Sequence, residues 1–262
     1  MARTLRIICG ASLASMCLLS ALFGQSAQFS NESASVLVVQ FNNTTTTEFW
    51  KQFEVAKKIV ALHDNSVLHD LEPWLSNDDM RRRGNAAFIF ASLGDERGFQ
   101  AIKAILEDHS TKRTVFAFDS AGHPSVSGQI REDRYYAAHL FGDLKDSRAV
   151  PILVPLLKDK EVNWVVPWSL GEIGDKSAIP RLIETLGDDS PDMRVLAICA
   201  LEKLNAKEAL PRLSVLLNDD ARIHFDGLGS VATAARVAIA NLSGQPYSCR
   251  LAGKGECACD PR

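Results

Sequence analysis

Apolar residues recur along this chain with two periods at once. Ile179, Leu182, Ile183 and Leu186 stand at i, i+3, i+4 and i+7, and Val150, Leu153, Val154 and Leu157 copy that spacing. Each set forms one stripe on one face of a helix. The longer period shows in the segments LHDNSVLH (62–69), LGDERGFQ (93–100), LKDSRAVP (144–151), IGDKSAIP (173–180) and LNAKEALP (204–211). Their leading residues are 31, 51, 29 and 31 apart, and a degenerate sixth copy ends at Leu242. Seven residues before each leading position come Val55, Ala86, Ala137, Val166, Ala197 and Ala235. Three before come Ile59, Phe90, Phe141, Leu170, Leu201 and Ile239. Each unit therefore reads as helix, tight turn, helix.

Turn chemistry agrees with this division. Asp64, Asp95, Asp146 and Asp175 stand where the second helix needs an N-cap. Asn205 is expected to cap in the copy that lacks the aspartate. Gly94 and Gly174 end the first helix, and His63 replaces that glycine in the first copy. Pro151, Pro180 and Pro211 fall near the start of the second helix, where proline costs least. A lone helix pair cannot bury its apolar face, whereas stacked copies can. The reading is an all-α fold, an α-solenoid of about six antiparallel helix pairs over residues 48–243.

The stretch DMRVLAICALEKLNAKEALPRLSVLLNDD resembles the HEAT-like repeat found in phycobilin lyases and in many bacterial proteins of unknown role. The resemblance covers about residues 48–243 and implies a HEAT-like superhelix. The lyases of that family handle a tetrapyrrole and a protein client. One fold of this kind carries many activities, so function has to come from a site.

The chain is 46% hydrophobic and 23% charged, with net charge −3 over 262 residues. That is globular composition without a basic footprint, which argues against nucleic acid as a partner. Residues 1–27 have the layout of a signal peptide: Arg3 and Arg6, an uncharged apolar run from Ile7 to Phe23, then Gly24, Ser26 and Ala27. The expected location is therefore exported, periplasmic or secreted. A membrane enters only if that leader stays uncleaved. Residues 28–47, rich in Asn and Thr, read as a polar linker. The tail 244–262 holds Cys249, Cys257 and Cys259, the disulfide candidates of an exported protein, while Cys199 reads as a buried thiol.

Interruptions of the repeat are where a site is sought. The spacing of 51 hides an insertion at 110–130, STKRTVFAFDSAGHPSVSG and its flanks. An excursion this long in a regular array is more often functional than filler. Phe116 and Phe118 either pack on the solenoid edge or wall a groove, and His123 lies beside them. In KEVNWVVPWSL, Trp164 and Trp168 are four apart and read as sharing a helix face kinked by Pro167. Trp164 is the candidate surface anchor. Arg181, Glu184 and Arg212 are expected on the solenoid's inner helices. Arg83, Arg134 and Arg194 share one repeat position and are read as ties between neighbouring turns.

Other chemistry is excluded. GEIGDKS (171–177) lacks the phosphate-loop spacing and follows a helix, not a strand. No HExxH and no G-x-S-x-G occurs. His224 and Asp226 have no third ligand at matching spacing, so no metal site is expected. The sequence reading is therefore a non-catalytic protein-binding scaffold of the cell envelope, not an enzyme, without a cofactor, with another protein as partner. Phe116, Phe118, His123, Trp164, Arg181, Glu184 and Arg212 would form its contact surface. The alternative is an accessory enzyme or ligand carrier of the HEAT-repeat lyase type.

Overall fold

The structure is a computed structural model that describes residues 32–112, 117–223 and 229–244, together with the backbone of two strands at 248–252 and 256–260. The chain is an all-α solenoid of helix pairs. Its first helices are α2 (Phe49–Ala61), α4 (Met80–Ser92), α6 (Val126–Leu144), α8 (Val166–Ile173), α10 (Pro191–Lys203) and α12 (Val231–Leu242). The second helices are α3 (Val67–Leu71), α5 (Glu96–Glu107), α7 (Val150–Leu153), α9 (Ile179–Thr185) and α11 (Leu210–Val215), several of them preceded or extended by a 3-10 turn. The copy that ends in α12 has no second helix among the described residues. Two compact units divide the chain, one containing residues 26–144 and the other residues 145–262.

In the unit of residues 26–144, α4 packs against α2, α5 and α6. Its core takes up the periodic apolar set at Ile59, Ala86, Phe90, Ala137 and Phe141, all fully buried; in the first copy Val55 is only half-buried and its neighbour Ala56 is buried instead. In the unit of residues 145–262, α10 lies between α8 and α12, with Val166, Leu170, Ala197, Leu201 and Ala235 buried. Burial of the Ile, Leu, Val and Phe side chains contributes about 1.5–3 kcal/mol each before entropy is counted, and of an alanine methyl about 0.8 kcal/mol. This is why the ladder positions are apolar in every copy.

The turns follow the expected chemistry with one exception. The carboxylates of Asp64, Asp95, Asp146 and Asp175 accept from the backbone N–H two residues on, at 2.9, 3.0, 2.9 and 2.8 Å. Each first helix in these copies stops on a left-handed residue: Gly94 and Gly174, but also His63, Lys145 and Asn205 with φ of 52°, 55° and 52°. Asn205 is therefore the helix stop and not the cap. Ala206 holds the cap position there and makes no side-chain bond. Asparagine tolerates the left-handed region because its short polar side chain strains little against the backbone.

Replacing Asp146 with alanine is expected to cost about 1 kcal/mol, the usual value of a lost cap. Hydrogen bonds from Arg148 hold the Asp146 carboxyl below its ordinary 3.8. A depressed carboxyl stabilises the fold above its unfolded value, and the gain is lost as pH falls through the folded value. The gap between wild type and Asp146→Ala should thus be full near neutrality and close in acid. Urea melts at several pH values read it directly, and a gap that widens in acid would refute the assignment.

The arginine ladder ties turns together. Arg83 Nε donates to the carbonyl of Asn77 at 2.7 Å, Arg134 Nε to Leu106 at 3.0 Å, and Arg194 Nη1 to Asp188 at 2.7 Å. Arg194 also pairs with Asp219 at 2.8 Å. In the first copy Gln52 occupies the same register and donates Nε2 to the carbonyl of Phe41 at 3.0 Å. Each donor satisfies a carbonyl that the end of the preceding helical segment leaves open.

Three sequence readings change. Residues 28–47 are not only a linker: α1 (Ala34–Asn43) forms there and buries Leu37, Val38 and Phe41 against α2 and α3. Its apolar residues are spaced for one helix face, which the flanking Asn and Thr residues obscured. Pro167 does not kink a helix. It sits in the first turn of α8, where its missing N–H has no partner to lose, and Trp164 lies in the turn before that helix. Trp164 and Trp168 therefore share no helix face. Cys199 is half-buried, not fully buried.

The insertion is shorter than the sequence suggests. Strands β1 (Ala117–Phe118) and β2 (Pro124–Ser125) pair antiparallel, and α6 begins at once at Val126. The tail pairs β3 (Ser248–Ala252) with β4 (Glu256–Asp260), with Cys249 opposite Cys259 and Leu251 opposite Cys257 in backbone register. The side chains of Cys249, Cys257 and Cys259 lie outside the described residues. Residues 1–27, read from sequence as a leader, also lie outside the described residues.

Candidate functional site

The residues singled out from sequence fall in both units. Phe118 and His123 belong to the unit of residues 26–144, and Trp164, Arg181, Glu184 and Arg212 to the other. Phe116 lies outside the described residues. Phe118 is 58% exposed on its hairpin, so it does not pack on the solenoid edge. The Asp119 carboxylate accepts from the backbone N–H of Ala121 and His123 and shapes the turn, and the His123 ring stands in solvent. Trp164 is 38% exposed. Arg181 donates to both carboxylate oxygens of Glu184 at 2.7 and 2.8 Å, so these two satisfy each other on the surface. The Arg212 side chain is exposed and its Nη2 lies over Gly187.

A different cluster, within residues 26–144, concentrates aromatic and titratable groups. It rests on α6, where Glu132, Tyr136, His139 and Asp143 fall at i, i+4, i+7 and i+11 and share one stripe. Tyr136 is buried at its centre. The ring of Phe49 meets it edge-on at 5.2 Å and that of Trp50 at 5.0 Å. Trp50 also meets the His139 imidazole at 5.6 Å. His139 Nδ1 stands 2.9 Å from Asp143 Oδ2. At the other end the Arg81 guanidinium covers the Phe49 ring at 4.6 Å and reaches Glu132 at 3.5 Å. Phe49, Trp50, Arg81, Glu132, His139 and Asp143 are all half-buried, so this face meets solvent.

Beneath it lies a closed polar relay. The Tyr136 hydroxyl donates to Asn85 Oδ1 at 2.5 Å. Asn85 Nδ2 donates to Gln52 Oε1 at 3.0 Å and to the carbonyl of Phe49 at 2.8 Å. Gln52 then reaches the carbonyl of Phe41. Burial pushes the Tyr136 phenol well above its ordinary 10, the Asp143 carboxylate adds to this, and Arg81 opposes it. Tyr136 is thus a neutral donor at any physiological pH and a fixed floor for the half-buried groups above it.

The sequence carries a signal for this cluster. Eight residues before the leading positions come Glu54, Asn85, Tyr136, Val165, Leu196 and Ala234. Val165, Leu196 and Ala234 are buried apolar residues. Asn85 and Tyr136 are polar at a register that the later copies keep apolar, and a polar residue there needs a partner.

Residues 131–194 and 159–223 match the family profile for HEAT repeats. The chain is 33% identical over 135 residues to the phycocyanobilin lyase subunit alpha of Picosynechococcus sp., covering 47% of this chain and 46% of that one. It is 30% identical over 146 residues to the bilin biosynthesis protein PecE of Nostoc sp., covering 55% and 53%. The chain thus spans about half the length of the curated relatives it matches. A solved engineered protein aligns over 81% of this chain and 97% of its own, at 16% identity and a TM-score of 0.43.

These relatives overturn two expectations. The sequence reading gave a non-catalytic envelope scaffold and no enzyme, whereas the curated relatives are named for bilin work, one of them as a lyase subunit. The absence of familiar catalytic motifs misled because such motifs report only their own chemistries.

Proposed function

We propose that this chain, a HEAT-repeat protein, is an accessory subunit of the lyase type that holds a linear tetrapyrrole and acts on it together with a protein client. The similarity to two curated bilin proteins carries this reading. The half-buried aromatic and acidic face on α6 supports it, because ligand sites join apolar walls to a few convergent polar groups. The protein partner follows from the same reading, since stacked helix pairs offer an extended surface for another chain. Export belongs to the proposal only through the leader-like residues 1–27. A clipped N-terminus on the protein isolated from cells tests that point.

The decisive measurement uses biliverdin with the purified full chain. Saturable binding is expected in an absorbance titration, with a melting temperature that rises with ligand concentration by mass action. Unchanged melting at saturating biliverdin, with no spectral change, would remove the bilin reading.

A further inference from the structure

We infer that the tetrapyrrole is held on the Trp50–Tyr136–His139–Asp143 face of residues 26–144, with Asp143 accepting from the ligand's ring N–H groups and Arg81 pairing with a ligand carboxylate. This assignment rests on the bilin reading above.

Unsatisfied buried atoms point to the place. Trp50 Nε1 is buried and donates to nothing in the structure. Asp143 Oδ2 is buried and accepts no aligned hydrogen bond, its approach to His139 Nδ1 being an ion-pair contact. Arg81 Nε is buried without an acceptor at hydrogen-bond geometry, the Asp79 carboxylate lying 3.9 Å away as an ion-pair contact. Native folds leave few such groups, and each is costly unless something completes it. Here an indole N–H, a carboxylate oxygen and one N–H of a guanidinium already paired with Glu132 lack hydrogen-bond partners around one aromatic cluster. By contrast, the exposed Arg181–Glu184 pair and the Asp119 turn are complete in themselves.

The spacing selects the ligand's size. Arg81 reaches Glu132, and Asp143 lies eleven residues further along α6. Eleven residues of helix span about 16 Å. A single aromatic ring cannot reach both ends, whereas an open chain of four conjugated rings can. Such a molecule offers ring N–H groups to Asp143, a flat face to Trp50 and a propionate to Arg81. His139 sits against Asp143 and keeps that carboxylate turned to the face. Asn85 and Gln52 hold Tyr136 and so fix the floor.

The test uses biliverdin and its dimethyl ester with the full chain, read by absorbance titration and by the circular dichroism induced in the bound pigment. Asp143→Asn and Trp50→Phe are expected to weaken biliverdin binding about tenfold and to diminish the induced signal. Trp164→Phe should leave both unchanged. The ester lacks free carboxylates, so it should bind wild type about as weakly as biliverdin binds Arg81→Gln, and Arg81→Gln should weaken the ester no further. This ester comparison stands even if the Asp143 variant fails to fold. Wild-type affinity and an unchanged induced signal in Trp50→Phe, with equal loss for acid and ester in Arg81→Gln, would place the pigment elsewhere and leave the bilin reading intact. No biliverdin binding by wild type would overturn both.

Discussion

Asn85→Leu is expected to lower the unfolding free energy by about 4 kcal/mol, from two buried groups left without partners at about 1–3 kcal/mol each. Asn85 is fully buried and bridges three elements. Its Oδ1 takes the Tyr136 hydroxyl from α6, and its Nδ2 serves Gln52 and the Phe49 carbonyl on α2. Leucine fills nearly the same volume, so the loss is electrostatic and not a cavity. The phenol and the Gln52 amide oxygen are then stranded away from water. The double variant is the sharper case. Adding Tyr136→Phe to Asn85→Leu removes one stranded group and should restore about 1–2 kcal/mol, although Tyr136→Phe alone is destabilising. Denaturant unfolding of the four proteins forms the cycle. Additive losses would show that the hydroxyl and amide are not coupled.

Gly98→Ala is expected to cost about 3 kcal/mol, the upper end for overpacking, because backbone atoms stand in the way. A Cβ at Gly98 would lie 2.2 Å from the Ala91 nitrogen and 2.3 Å from the Ala87 oxygen. These atoms belong to α4, and neither can rotate aside. The sister copies explain the glycine. At the same register Ala149, Ala178 and Ala209 end short 3-10 turns, and Pro151, Pro180 and Pro211 follow two residues later. The copy with Gly98 and Gln100 instead enters α5 directly at Glu96, drawing the helix onto α4. Gly98→Ala with Gln100→Pro rebuilds the sister pattern, so the double variant should recover part of the loss. A Gly98→Ala protein that melts with wild type would show that the close approach is not required.

Much of the fold was legible because its causes are local. The ladder Ala86, Ala137, Val166, Ala197 and Ala235 marks buried helix faces, and the aspartates of four turns mark helix starts. Both depend on residues within a turn or two of each other. Where the reading slipped, a local rule had two solutions. Asn205 suits a cap or a left-handed stop, and the backbone chose the stop at φ 52°. Pro167 suits a kink or a first turn, and α8 simply begins there.

The candidate site was nearly invisible for the opposite reason. The interruptions of the repeat offer Phe118 and Trp164 as exposed surface residues, while Trp50, Tyr136 and Asp143 lie inside regular copies. Only a polar residue at an apolar register, Asn85 or Tyr136, hinted at them.

By itself the sequence determined the helix-turn-helix unit and most of the faces its helices bury, because periodicity and capping act over a few residues. The tertiary structure alone decided that Gln52, Asn85 and Tyr136 join into one relay, with separations of 33 and 51 residues between bonded partners. Contacts at that range exist only once the helices have stacked, since stacking is what brings distant polar groups together in a place without water.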